Sequence, residues 1–217
     1  MKSGVIFDMD GVLVDNRDIH IEAFQILFRK IGLHATYEQL LTTFGKVNTQ
    51  IFEDLFGAGT FTPEEIDRMG IEKEEIYRET FAKKIAPTPG LLPFLEALKA
   101  KGVKMAVGSS GPRINVDFVL EKCGIAGYFD AIVDGSMVAK GKPEPEVFLK
   151  AAALIGKTPE ECIVFEDALV GIEAGKRAGM TVIALETTFP AERLAGSGYD
   201  KLIRDFTEID ASILEKF

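Results

Sequence analysis

The chain opens on Val5-Ile6-Phe7, a short continuous apolar run that ends in two carboxylates, Asp8 and Asp10, followed by Gly11. Such a run a few residues from the N-terminus predicts a buried central strand. Were the strand to continue to Asp10, the alternation of side chains would put Asp8 and Asp10 on one face. The period then becomes helical. Ile19, Ala23, Ile26, Leu27 and Ile31 recur at spacings of three and four, and Gly32 is a natural stop. Further helical patterns cover 37–43, 48–55, 63–70 and 72–85. Thr62-Pro63-Glu64-Glu65 reads as a helix start, with a capping hydroxyl, proline in the first turn and acids after it. No strand pattern occurs between Val14 and Ala86. Ala86-Pro87-Thr88-Pro89-Gly90 breaks the last helix and returns the chain.

From Leu91 onward helices and strands alternate. The pattern predicts helices over 93–100, 112–123, 145–155 and 169–178, and strands over 103–107, 131–133, 162–165 and 181–185. A weak strand at Leu202-Ile203 and a helix over 208–217 close the chain. Alternation of this kind implies right-handed crossovers and a parallel sheet with helices on both faces. The expected fold is α/β: a Rossmann-like core of residues 1–14 and 87–217, interrupted after its first strand by a helical cap of residues 15–86. No internal repeat or low-complexity tract is present.

Composition narrows the function. At 217 residues, 47% hydrophobic and 27% charged, the chain is long enough for a sizeable core with a small insertion. A net charge of −9 argues against nucleic acid or an anionic membrane surface as partner. It leaves an anionic substrate open, because a bound cation and local lysines can dominate a site's field. No signal peptide is visible, and no apolar stretch approaches the roughly 20 residues that span a bilayer. Cys123 and Cys162 are far apart and have no nearby His or Cys partner. They read as reduced, buried thiols of a cytoplasmic protein, which is expected to be monomeric.

Four stretches carry chemistry, each at the C-terminal end of a predicted strand, where open α/β sheets bind ligands. Asp8-Met9-Asp10-Gly11 places two acids together with no basic residue between them, which requires a cation or a proton. Gly108-Ser109-Ser110-Gly111-Pro112 offers small residues, hydroxyls and backbone N–H groups at a helix start, an anion site or an ordinary capped turn. Lys142, between Gly141 and Pro143, is less mobile than a lysine in an open loop; Lys140 lacks the following proline. Glu166-Asp167 ends an apolar strand in paired carboxylates, whose burial calls for a cation. Hard oxygen ligands of this sort suit Mg²⁺.

The run D-M-D-G-V-L-V-D resembles the first motif of the haloacid dehalogenase superfamily, most closely its sugar-phosphate phosphatases and β-phosphoglucomutases. K-P-x-P at Lys142 resembles its third motif. The resemblance spans the chain and implies Asp8 as nucleophile, forming an aspartyl-phosphate, and Asp10 as general acid/base. It implies that Ser109 hydrogen-bonds the transferring phosphoryl group, with Ser110 and Gly111 beside it, and that Lys142 bridges nucleophile and phosphate. Asp8, the Asp10 carbonyl, Asp167 and Glu166 are the implied Mg²⁺ ligands, Glu166 either directly or through water. In the cap, His20 matches a position used by β-phosphoglucomutases, and Gly45, Lys46 and Asn48 lie in the corresponding substrate loop. Asn48 stands where the mutase has a phosphate-binding arginine. The expected partner is therefore a small phosphorylated metabolite and the expected activity a phosphatase, with a phosphosugar mutase as the alternative. A phosphoacceptor signalling domain would carry its aspartate on a middle strand and need no cap. An inactive binding protein would not need the full set of Asp8, Asp10, Ser109, Lys142 and Asp167.

Overall fold

In the computed structural model, which describes residues 2–44 and 46–217, Gly4–Phe7 forms β1, all four of its residues buried. The chain then divides into two compact units, Asn16–Ile85 and the remainder, Met1–Asp15 with Ala86–Phe217. Each is described in turn.

Residues Asn16–Ile85 form helices α1 (Arg17–Lys30), α2 (Tyr37–Leu41), α3 (Asn48–Phe56) and α4 (Pro63–Phe81). Their apolar faces meet in a core that includes Phe24, Leu27, Phe28, Phe52 and Met69. Phe28 packs edge-on against Phe52 and Phe56, with centroids 5.8 and 5.2 Å apart. Thr62 caps α4 reciprocally with Glu65, each side chain bonding the other's backbone N–H. Helix α4 runs unbroken through Gly70, where the sequence pattern suggests two helices. A mid-helix glycine costs about 1 kcal/mol relative to alanine. Here a Cβ would stand 2.5 Å from the Asn48 amide nitrogen, so the helix keeps glycine to make room for that side chain.

The other unit is built on a sheet that contains, among the described residues, six parallel strands in the order β3-β2-β1-β4-β5-β6. In chain order its elements are α5 (Leu91–Ala100), β2 (Lys104–Gly108), α6 (Arg113–Lys122), β3 (Ala131–Val133), α7 (Glu146–Leu154), β4 (Cys162–Glu166), α8 (Leu169–Arg177), β5 (Thr181–Leu185), α9 (Ala191–Leu194) and β6 (Lys201–Ile203). Strands β1, β4 and β5 are buried throughout, which is why they read as continuous apolar runs. Phe7 of β1 is in register with Phe165 of β4, and their rings stack 5.1 Å apart. Phe94 and Phe206 pack on the same pair. This aromatic cluster lies one residue before Asp8 and Glu166, so it fixes the two strand ends that carry the acids.

The helix expected over 208–217 is absent. Two 3₁₀ turns, Phe206–Glu208 and Ala211–Glu215, take its place. Asp205 and Asp210 each accept a backbone N–H two residues on, a local bond that competes with α-helix. Both cysteines are free; Cys162 is buried as expected, whereas Cys123 is only half-buried. Among the described residues no helix is long and apolar enough to cross a membrane.

Candidate active site

Strand β1 stops at Phe7, not at Asp10, and the chain turns at once. The Asp8 N–H still reaches the Phe165 carbonyl at 3.0 Å, while Leu13 N–H folds back on Met9 O and Gly11 N–H on Val14 O at 2.9 and 2.8 Å. Gly11 adopts a positive φ of 76°, which glycine tolerates without strain. A Cβ there would overlap the Asp167 carboxylate and come within 2.9 Å of the Thr188 hydroxyl. Glycine is thus required both by the turn and by what crowds against it.

The four chemical stretches converge. Asp8 is buried, and the Lys142 Nζ donates to its Oδ1 at 2.8 Å. The same ammonium donates to Glu166 Oε1 at 2.7 Å and lies 4.7 Å from the centre of the Phe148 ring. Burial opposes the charge on Lys142, but the two carboxylates more than offset it and hold its pKa above the ordinary lysine value. Ser109 is buried at the end of β2; its N–H donates to Val133 O at 2.9 Å and its Oγ accepts the Gly111 N–H at 3.0 Å. A Cβ on Gly111 would lie 3.3 Å from Ser109 Oγ and 3.7 Å from Asp10 Oδ2, which puts the half-buried Asp10 carboxylate beside this loop.

Glu166 and Asp167, adjacent in sequence, are treated differently. Glu166 Oε1 accepts from Lys142, and its Oε2 accepts the N–H groups of Asp167 and Ala168, both at 2.6 Å. Gly171 in the first turn of α8 makes room for it, since a Cβ there would overlap Oε1. Asp167 is 1% exposed, and neither of its carboxylate oxygens accepts a hydrogen bond from another group. Burial, then the negative charges of Glu166 and Asp8, push its pKa well above the carboxylate range. Asp8 is raised to about 7, chiefly by burial, with Lys142 pulling against it and Glu166 and Asp10 adding to it. Oxygens of Asp8, Glu166 and Asp167 lie within 4.8 Å of one another. An orphaned carboxylate in an all-oxygen cluster is the environment a divalent cation such as Mg²⁺ fits.

The residues of Asn16–Ile85 named from the sequence do not form a comparable cluster. Gly45 lies outside the described residues. Lys46 is paired with Asp54 at 2.6 Å. Asn48 opens α3 and packs against Gly70. His20 is buried, its ring stacked 3.9 Å from that of Tyr77 and its Nδ1 2.7 Å from the Lys73 ammonium. Lys73 in turn donates to Glu74 at 2.9 Å. Residues that sequence reading passed over are Gly171, which seats Glu166, and the pair Thr187-Thr188 just after β5. The Thr187 hydroxyl donates to Gly11 O. Two hydroxyls beyond a strand's C-terminal end were the only hint in the sequence, and alone they name no partner.

Comparison with known proteins agrees with this geometry. A family model described as haloacid dehalogenase-like hydrolase matches residues 2–179. The chain is 30% identical over 209 residues to validoxylamine A 7′-phosphate phosphatase of Streptomyces hygroscopicus subsp. limoneus, covering 96% of each chain. It is also 30% identical over 219 residues to β-phosphoglucomutase of Bacillus subtilis, covering 98% of this chain and 93% of that one. A crystal structure of β-phosphoglucomutase from Clostridium difficile superposes with a TM-score of 0.89 at 26% identity, covering 100% of this chain and 96% of the other. With the acidic strand ends, the clamped lysine and the serine turn in one place, the chain belongs to the haloacid dehalogenase-like hydrolases and is an enzyme of that family.

Proposed function

We propose that the protein is a Mg²⁺-dependent phosphatase of small phosphorylated metabolites, sugar phosphates foremost, acting through an aspartyl-phosphate on Asp8. The observation that carries this reading is Lys142 held between Asp8 and Glu166 while both Asp167 oxygens lack a hydrogen bond. The Asp8 carboxylate attacks phosphorus in line with the leaving oxygen. Lys142 offsets the repulsion between the approaching anions, and the Ser109 hydroxyl donates to a phosphoryl oxygen. Asp10 gives a proton to the departing alkoxide and then takes one from the water that attacks the aspartyl-phosphate. The carboxylates of Asp8 and Asp167 and the Asp10 carbonyl would hold the cation, with Glu166 reaching it through water because three donors already occupy its oxygens. When bound, the cation neutralises charge developing on the phosphoryl oxygens.

Relatives of both kinds, phosphatase and mutase, share the chain's length. Hydrolysis is favoured because the two cap residues that could grip a second phosphate are engaged elsewhere, Lys46 with Asp54 and Asn48 against Gly70. Neither an amide nor a single ammonium reproduces an arginine's two-point grip. The test supplies a panel of sugar phosphates with Mg²⁺. It also supplies β-glucose 1-phosphate with catalytic glucose 1,6-bisphosphate, following glucose 6-phosphate and free phosphate separately. Phosphate release should dominate. Isomerisation faster by about tenfold, roughly 1.4 kcal/mol of barrier, would establish the mutase instead.

A further inference from the structure

We propose that Thr188 is a positioning residue for Asp167, aiming its carboxylate at the cation, and that the bond from Thr187 to Gly11 holds the pair in place. The inference rests on reading Asp167 as a metal ligand.

Three observations meet at this point. Thr188 is 1% exposed and sits, with Asp167, against the one face of Gly11 that has no room for a Cβ. Thr187, next in the chain, donates its hydroxyl to the carbonyl of that same Gly11. The segment is pinned at both ends: the Glu186 N–H donates to Ile203 O of β6 at 3.0 Å, and Phe189 is buried. Of two consecutive hydroxyls on a fixed backbone, one thus bonds the β1 turn and the next is placed beside the β4 carboxylate.

The chemistry of Asp167 explains why this matters. Glu166 has an ammonium and two N–H donors to set its orientation, and Asp8 has Lys142. Asp167 has no such donor, and the carboxylates of Glu166 and Asp8 lie within 4.8 Å of its own. The Thr188 hydroxyl stands with Asp167 Oδ2 against the same face of Gly11, placed to hold that carboxylate. A ligand carboxylate left to rotate binds a cation less well than one held in place. Outer partners of metal ligands are typically worth about 10–100-fold in affinity.

The test measures Mn²⁺ affinity by electron paramagnetic resonance on the whole protein, without substrate, for wild type, T188V, T188S and D167N. T188V, which keeps the shape and loses the hydroxyl, should weaken Mn²⁺ binding about tenfold. T188S, which restores the hydroxyl, should stay within about twofold of wild type. A role in folding alone would lower the metal-free melting temperature of T188V without this split in affinity. Wild-type affinity in T188V, or a loss in T188S equal to that in T188V, would overturn the proposal. If the valine variant does not fold, T188A takes its place with the same expectation. D167N separates the two readings. Should D167N keep its affinity, Asp167 is not the ligand; should D167N lose it while T188V does not, only the role of Thr188 fails.

Discussion

Replacing Lys142 by methionine removes one charge from between two acids. Lys142 is 2.8 Å from Asp8 and 2.7 Å from Glu166, and all three are at least nine-tenths buried. Removing one partner of a buried ion pair costs about 3–5 kcal/mol, because the charge left behind has no water to turn to. For a chain of this size, at about 2–4 °C per kcal/mol, that is a fall of roughly 6–20 °C in melting temperature at pH 8 with chelator present. The loss should depend on pH in a defined direction. Asp8 already has its folded pKa raised to about 7, and the lysine is the influence holding it down. Without the lysine it rises further. A carboxyl with a raised folded pKa stabilises the native state while protonated and loses that contribution as pH climbs through the folded value. At pH 5 Asp8 is neutral in K142M, one of the two stranded charges is gone, and the gap from wild type should narrow. Mg²⁺ at pH 8 should narrow it too, by supplying another positive charge. Thermal denaturation at the two pH values, with chelator or Mg²⁺, reads all of this. A K142M protein as stable as wild type at pH 8 without metal, or a deficit unchanged at pH 5, would refute the argument.

Three further outcomes are expected. Asp8→Asn should abolish both p-nitrophenyl phosphate turnover and trapping of a phosphoenzyme after acid quench; substantial residual hydrolysis would put the nucleophile elsewhere. Gly171→Ala forces the Glu166 carboxylate out of its seat on α8, and overpacking of this kind costs about 1–3 kcal/mol; denaturant titration should show it, with turnover falling as Lys142 loses its second anchor. The metal-free wild type should lose stability as pH rises from the ordinary carboxylate range through about 7, the window set by the raised pKa of Asp8, and saturating Mg²⁺ should flatten that slope.

The sheet was legible because parallel strands buried on both faces leave continuous apolar runs, and the acids stand out where those runs end. Phe7-Asp8 and Phe165-Glu166 show the rule: an aromatic that stacks in the core, then a buried acid at the strand end. What stayed hidden depended on contacts that only the folded chain makes. Gly70 reads as a helix end until Asn48 is seen lying on it. Residues 208–217 read as a helix until Asp205 and Asp210 are each found closing a short turn. Glu166 and Asp167 are interchangeable as letters, and either could hold a cation. They diverge because Glu166 is long enough to turn back onto its own following N–H groups and Lys142, whereas Asp167 is left without a donor. Thr187 and Thr188 carry neither charge nor periodicity. The position of a hydroxyl pair beyond a strand end acquires meaning only when Gly11 and Asp167 arrive beside it from two other strands. The charged groups of this site can therefore be read from local sequence, and the groups that aim them cannot, because aiming is a property of the crossing of strands.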